Sequence, residues 1–456
     1  MLKITIPSNN YQERVYILDV LFNQFLNIDY TLIISTDFTD ESAIDIDKER
    51  RVLIKDSFFS RYPKNLEYLQ RSSIPKTVEY FKHSLLVEQD IPILFGKAQI
   101  DIEEKNIVSH IDIFATLFFM LTRWEEYIIT ERDEHNRFPH TASLAYKEGF
   151  LNRPIVNEYI ELFWNLLQKI GYKGERGEKK FSMLLTHDVD EIQRYPNLKK
   201  VIMGMGGDIL YRKSFSLPFK TLYDYLLVSI KRRKDPYDSF DEIMDMSDAF
   251  GVTSHFFFMA GGTTNRYDNR YSINNPRIKE ILEKIRSRGH SIGLHPSYNA
   301  YNNPKQFKKE KEALERVNNQ PITSGREHYL RFEVPTTWQL WENNGFEWCS
   351  NLAYPRSAGF RTGSCYPYTP FNILSQEKLN VQERPLIMME VTFIEATKTI
   401  KEFDTMVNYY LNIIKKYNGE FVLLWHNASF KEASIVRYAP SYTKTLKKFK
   451  ELVELK

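Results

Sequence analysis

Cysteine is nearly absent from this chain: 456 residues hold two, Cys349 and Cys365. Two thiols cannot build a disulfide framework or a cysteine-rich zinc site, and their scarcity suits a reducing compartment. Long apolar runs are missing as well. No stretch approaches the roughly 20 residues that span a bilayer. The opening Met1-Leu2-Lys3-Ile4-Thr5-Ile6-Pro7 lacks the apolar core of a secretion signal. A cytoplasmic location is the expectation. Excess charge of either sign is absent too. The 62 Lys and Arg stand against 59 Asp and Glu, a net charge of +3, so no global field recruits nucleic acid. Gly261-Gly262 follows a strand-like run, but neither a Gly-x-Gly-x-x-Gly nor a P-loop is there to support nucleotide binding.

What is present is apolar and aromatic substance. Hydrophobic residues make up 42% of the chain, with 31 Phe and 28 Tyr, enough for two domains. Residues 1–175 read as one unit, an accessory α/β domain. Its strand-like runs are Leu2–Ile6, Tyr30–Ser35 and Arg51–Ile54. Helices are expected at Ile111–Ile129 and Pro154–Ile170. The charged, glycine-containing segment Gly171–Lys180 reads as a boundary. From Phe181 onward strand-like runs alternate with amphipathic stretches. The strands are Phe181–Thr186, Thr253–Met259, Ser291–His295, Glu327–Phe332, Glu347–Leu352, Leu386–Phe393 and Glu420–His426. About seven strands alternating with helices predict a distorted (β/α) TIM-like barrel over 181–456. A doubly wound open sheet is the alternative. Residues 197–237 are too long for a βα loop and read as an insertion. It carries Leu222, Tyr225, Leu226 and Ile230, then Lys231-Arg232-Arg233-Lys234. Such a pattern suits either a solvated helix or peripheral contact with an anionic membrane.

Leu185-Thr186-His187-Asp188-Val189-Asp190 closes the first barrel strand. Two carboxylates at i and i+2 just past a strand end point into one place, where one can hold a divalent metal and the other take a proton. His295 and His426 close two further strands. In parallel α/β folds that end of the sheet builds the active site. Asp190 and His295 are donors that suit a divalent ion, with zinc first among them. Asp188 is then the base and His426 the acid of a metal-assisted amide or ester hydrolysis. Trp425, beside His426, either packs in the core or walls a sugar site. His110, His135 and His140 read as structural or surface residues.

The set resembles the polysaccharide deacetylases, the NodB-homology carbohydrate esterases, over roughly residues 181–430. The likeness rests on Thr186-x-Asp188-Val189-Asp190, Gly289-His290-Ser291-Ile292-Gly293-Leu294-His295 and Leu423-Leu424-Trp425-His426. It extends to a bacterial subgroup with an added N-terminal domain. The phrases carrying that are His295-Pro296-Ser297-Tyr298, His328-Tyr329-Leu330-Arg331, Gly359-Phe360-Arg361-x-Gly363, Trp124-Glu125-Glu126-Tyr127 and Asp133 to Phe138. The resemblance implies Asp188 as base, Asp190 and His295 as metal ligands, and Asn299 at the third ligand position, with His328 as a replacement for it. It implies an arginine steadying Asp188, with Arg331 the first choice and Arg326 the second. Leu424 then lines the acetyl pocket, Tyr298 and Trp425 contact substrate, and His426 is the acid. The expected activity is hydrolysis of a non-peptide carbon–nitrogen bond, removing an N-acetyl or O-acyl group from a bacterial glycan or its precursor. The alternative is an inactive relative that binds glycans or assists polysaccharide assembly.

Overall fold

The computed structural model describes residues 1–195, 198–199, 201–202, 205–206, 216–268, 271–432 and 434–454. Part of the expected insertion at 197–237 therefore lies outside the described residues. Among the described residues no helix is long and apolar enough to cross a membrane.

The first 111 residues contribute a six-stranded mixed sheet. Its strands are β1 (Leu2–Pro7), β2 (Tyr30–Ser35), β3 (Glu41–Asp45), β4 (Arg51–Lys55), β5 (Gly96–Ile102) and β6 (Asn106–Ile111). They lie in the order β2-β1-β3-β4-β6-β5. Alternation in β4 and β6 buries Val52, Ile54 and Ile107, the mark of a sheet covered on its core face. The helix expected over Ile111–Ile129 is two helices, Ile113–Thr122 and Trp124–Ile128. Arg123 between them adopts a left-handed conformation, φ 54°. Its buried guanidinium reaches Glu125, Glu126 and the hydroxyl of Tyr354, and those bonds compensate the break.

The second sheet has eight parallel strands. They are β7 (Ser182–Val189), β8 (Ser254–Phe258), β9 (Ser291–Leu294), β10 (Ser324–Gly325), β11 (Trp348–Cys349), β12 (Gln382–Glu383), β13 (Met388–Met389) and β14 (Glu420–Leu424). Their order is β12-β11-β10-β9-β8-β7-β14-β13. That is the cyclic order of an eight-stranded β/α barrel opened between its sixth and seventh strands. The fold is a distorted TIM-like barrel, with eight strands rather than about seven. Helices Phe240–Phe250, Pro276–Ser287, Pro304–Asn318, Thr336–Asn343 and Ile400–Lys416 are amphipathic stretches that alternate with these strands.

Two strand expectations are corrected. The fourth strand is Ser324–Gly325, and 327–332 is an irregular turn. A Cβ on Gly325 would meet the carbonyl oxygen of Leu294 at 2.0 Å, so this close strand pairing requires glycine. Leu386–Phe393 is a two-residue strand followed by a helix, Glu390–Glu395. The short strand carries the chain to the barrel mouth, and Glu390 begins the helix there.

The two sheets share a continuous apolar core. Residues 354–372 are the hinge of that union. Phe371 packs on Tyr16 at 4.8 Å between ring centroids, and the Tyr368 hydroxyl donates to the Leu121 carbonyl at 2.9 Å. Arg361 forks onto Glu126, with Nε to Oε1 at 2.9 Å and Nη2 to Oε2 at 2.5 Å, both residues buried. Two of the phrases noted in the sequence, around Trp124 and around Gly359, thus meet face to face. Replacing Arg361 with Ala leaves Glu126 buried with one arginine instead of two. We expect a loss of about 3–5 kcal/mol in denaturant unfolding, and a value below about 1 kcal/mol would show that the pair carries no weight.

Candidate metal centre and active site

A cavity of about 640 Å³ opens at the C-terminal ends of the barrel strands. Asp188, Asp190, His295, His328, Leu424 and His426 all line it. Alternation along a strand explains the last pair. Leu424 and His426 face the cavity, while Trp425 between them turns to the opposite side. There its ring packs against Phe403, Phe430 and Tyr442. Trp425 is therefore core and not a sugar wall.

Asp190, His295 and His328 bring one ligand atom each to within 4.8 Å of one another. His295 Nε2 lies 3.4 Å and His328 Nδ1 lies 3.6 Å from Asp190 Oδ1. The two ring nitrogens are 3.0 Å apart. Both rings are oriented from behind. His295 Nδ1 donates to the Arg326 carbonyl at 2.6 Å, and His328 Nε2 donates to the Tyr267 carbonyl at 2.5 Å. That leaves His295 Nε2 and His328 Nδ1 facing inward; burial works against charge on His295, but Asp188 and Asp190 raise its pKa. Asp190 Oδ1 is buried and makes no hydrogen bond. Two inward-facing imidazole nitrogens and a carboxylate oxygen match the donor set of a divalent ion such as Zn²⁺. Burial works against the charge on Asp190, but His328, His295 and His426 overcome it and hold its carboxyl well below the usual range. Burial depresses His328 to about 4, which keeps that ring neutral and able to ligate.

His328 is thus the residue that stands with Asp190 and His295, and the expected place of Asn299 beside them is corrected. Asn299 is exposed, and its Oδ1 accepts from Arg331 Nη1 at 2.9 Å. Arg331 is likewise displaced from its expected place. Its guanidinium lies between the rings of Tyr298 and Tyr301, at 4.0 and 4.1 Å from their centroids. It donates to the backbone carbonyls of His135 and Tyr298. Arg326 instead reaches the carboxylate, with Nη1 donating to Asp188 Oδ1 at 2.9 Å, while Nε and Nη2 are anchored on Ser350. Strand β10 ends at Gly325 and aims residue 326 inward, whereas residue 331 lies beyond the turn. Tyr298 is behind the wall: its hydroxyl hydrogen-bonds with His135 Nδ1 at 3.0 Å, and its face stacks on Tyr267 at 4.4 Å.

His426 lines the same cavity, with Nε2 3.9 Å from Asp190 Oδ2. Its Nδ1 is 2.7 Å from Glu390 Oε1, which also accepts from the His426 backbone and from Ser429. Burial would lower the imidazole's pKa. Glu390 first, then Asp190 and Asp188, push it up to about 10. Glu390 was not singled out from sequence. Its signal was a lone carboxylate inside the apolar run Leu386–Phe393. His135 and Arg137 also line the cavity, although His135 read as structural or surface. They reach it because the loop after Trp124–Ile128 folds over the barrel mouth.

The turn carrying His328 is strained. Tyr329 and Leu330 both have positive φ, 59° and 53°, at a cost of about 1–3 kcal/mol each.

Residues 2–172 match the model of a family of unknown function, DUF7033. No protein of curated function matches the chain. The chain is similar to polysaccharide deacetylases of known structure. A putative polysaccharide deacetylase from Mycobacterium smegmatis shares 16% identity, covering 61% of this chain and 86% of that one, with a TM-score of 0.39. A probable polysaccharide deacetylase from Pseudomonas aeruginosa PAO1 shares 11%, covering 61% and 90%, with a TM-score of 0.37. Puue allantoinase shares 12%, covering 60% and 86%, with a TM-score of 0.38. These likenesses are distant, and no residue role in this chain rests on them.

The donor geometry makes a direct statement about metal affinity. His328→Ala removes one of three ligands and should weaken zinc binding by more than the ~10–100-fold that loss of a supporting hydrogen bond costs. Asn299→Ala should leave it within about threefold. Competition against a chromophoric chelator measures both, and the reverse ranking would restore Asn299 to the metal shell.

Proposed function

We propose that the chain is a metal-dependent hydrolase that removes an N-acetyl or O-acyl group from a bacterial glycan or glycan precursor. The observation that carries this reading is the convergence of two bare imidazole nitrogens and the Asp190 carboxylate beside Asp188 and His426, on one cavity wall. Asp190, His295 and His328 would hold the ion. A divalent cation there supplies Lewis acidity toward the acyl carbonyl and the attacking water.

The chain's own residues supply the proton traffic. Asp188 takes the proton from the attacking water, and Arg326 fixes the carboxylate through Oδ1 so that Oδ2 faces the centre. Oδ2 lies 3.8 Å from His295 Nε2, close enough to serve a water held at the ligands. His426, held protonated across neutral pH by Glu390, donates to the leaving nitrogen or oxygen from Nε2. Its Nδ1–H stays on Glu390 throughout, which orients the ring. Leu424 offers an apolar patch beside His426 that suits an acetyl methyl. The carbonyl attack and the leaving-group protonation thus fall within the same small space, as acyl transfer requires.

Acetate release from a panel of N-acetylated and O-acetylated sugars, with zinc restored after chelation, tests the reading. Asp188→Asn should lower kcat by ~10²–10⁴-fold with little change in KM. Full activity in that variant, or wild-type protein that binds no divalent ion, would sink the assignment. Glu390→Gln removes the charge that lifts His426. The acid should then lose its proton at lower pH, so the alkaline limb of the kcat profile should move down by more than one unit. An unmoved limb would mean that His426 is not the acid.

A further inference from the structure

The helix Ser216–Ser229 carries an apolar face that nothing covers among the described residues. Phe219, Tyr223, Leu226 and Ile230 are 76, 62, 51 and 59% exposed. At 3.6 residues per turn all four fall within an arc of about 60°. Ile230 continues the helical path through its N–H bond to the Leu226 carbonyl at 3.0 Å. Lys231-Arg232-Arg233-Lys234 follows directly; Arg233 pairs with Asp224 and Lys234 with Asp241, and the exposed Lys231 and Arg232 have no carboxylate partner among the described residues. The helix is rooted at the cavity. Tyr225 packs on Tyr195, and Asp235 accepts the backbone N–H groups of Arg194 and Tyr195. Glu191 and Tyr237, on either side of the insertion, both line the cavity.

We propose that this helix docks on an anionic lipid surface and brings the cavity mouth to it. A large exposed apolar stripe beside a basic cluster has the two components of interfacial binding, buried apolar area and attraction to anionic headgroups. Charge complementarity favours lipid over a second copy of this chain, whose own basic cluster would repel it. Sedimentation of the full chain with phosphatidylglycerol–phosphatidylcholine vesicles tests this, against pure phosphatidylcholine. Wild-type protein should pellet with the anionic vesicles and release as salt is raised. The triple variant Phe219→Ser, Leu226→Ser, Ile230→Ser should bind at least ~10-fold more weakly while its metal content is unchanged. No preference for the anionic vesicles would overturn the proposal. So would a wild-type dimer that the triple variant converts to monomer.

A separate observation concerns the N-terminal unit, and it rests on the metal site argued above. The strained turn that carries His328 is gripped from that unit. Arg137 Nη1 donates to the Tyr329 carbonyl at 2.8 Å, and the His135 carbonyl accepts from Arg331 Nε at 2.8 Å. The His135 ring packs on Tyr329 with 4.7 Å between centroids. Asp133 holds Arg137 in turn through Oδ2 at 2.8 Å. We infer that Arg137 is a positioning residue for the metal ligand His328, so that residues 133–137 complete a centre otherwise built by the barrel. Arg137→Ala should weaken zinc binding by ~10–100-fold in chelator competition, with Arg137→Lys recovering part of the loss. The exposed Arg71→Ala in the same unit serves as the control. Should Arg137→Ala fail to fold, Asp133→Asn, which loosens the guanidinium without a void, replaces it in the same assay. Folded variants that bind zinc as tightly as wild type would overturn the inference. Wild-type protein without zinc affinity would instead overturn the metal site itself.

Discussion

His295 Nε2 and His328 Nδ1 face each other across 3.0 Å, and each ring commits its other nitrogen to a backbone carbonyl. Asp190 Oδ1 lies 3.4 and 3.6 Å from those two nitrogens and has no hydrogen bond among the described residues. Such an arrangement is costly in a folded protein unless a cation occupies its focus. Much of the barrel mouth serves to hold it. Strand β10 places Arg326, whose carbonyl aims His295 while its guanidinium aims Asp188. The loop bearing Tyr267 aims His328. The ends of three strands and one turn are therefore coupled through a small group of atoms.

Around that focus, each reactive side chain is backed by a partner of opposite charge. Asp188 rests on Arg326, and His426 rests on Glu390. Both backing residues are fully buried. Buried charges of this kind contribute little net stability, because desolvation offsets most of the attraction. What they contribute is orientation: a ring or carboxylate with one bond fixed has one face left for chemistry. The same logic raises the pKa of His426 and lowers that of His328, two histidines lining one cavity.

The N-terminal unit does not sit on the barrel as an appendage. Its core is continuous with that of the barrel, Arg361 binds Glu126 across the junction, and His135 and Arg137 help to line the cavity. The phrases around Trp124, Asp133 and Gly359 are the surfaces where the two units meet, which gives their residues a physical reason beyond catalysis.

Asp188, Asp190, His295 and His426 were legible because each ends an apolar run, and period and punctuation in a sequence mark strand ends directly. The β/α alternation followed for the same reason. The third ligand was not decided that way. The family resemblance pointed to Asn299, but residue 299 lies past a turn and its amide belongs to Arg331. The choice between Arg326 and Arg331 turned on a two-residue strand whose end no periodicity could reveal. Glu390 and His135 entered the site from a helix start and from a loop of the other unit. The sequence by itself determined the residue types of the centre and the strands that carry most of them. Only the tertiary structure brought together His328, the supporting charges and the N-terminal unit's residues at the cavity. Those depend on which groups from distant parts of the chain meet in space, and short strands and turns leave no periodic trace of that.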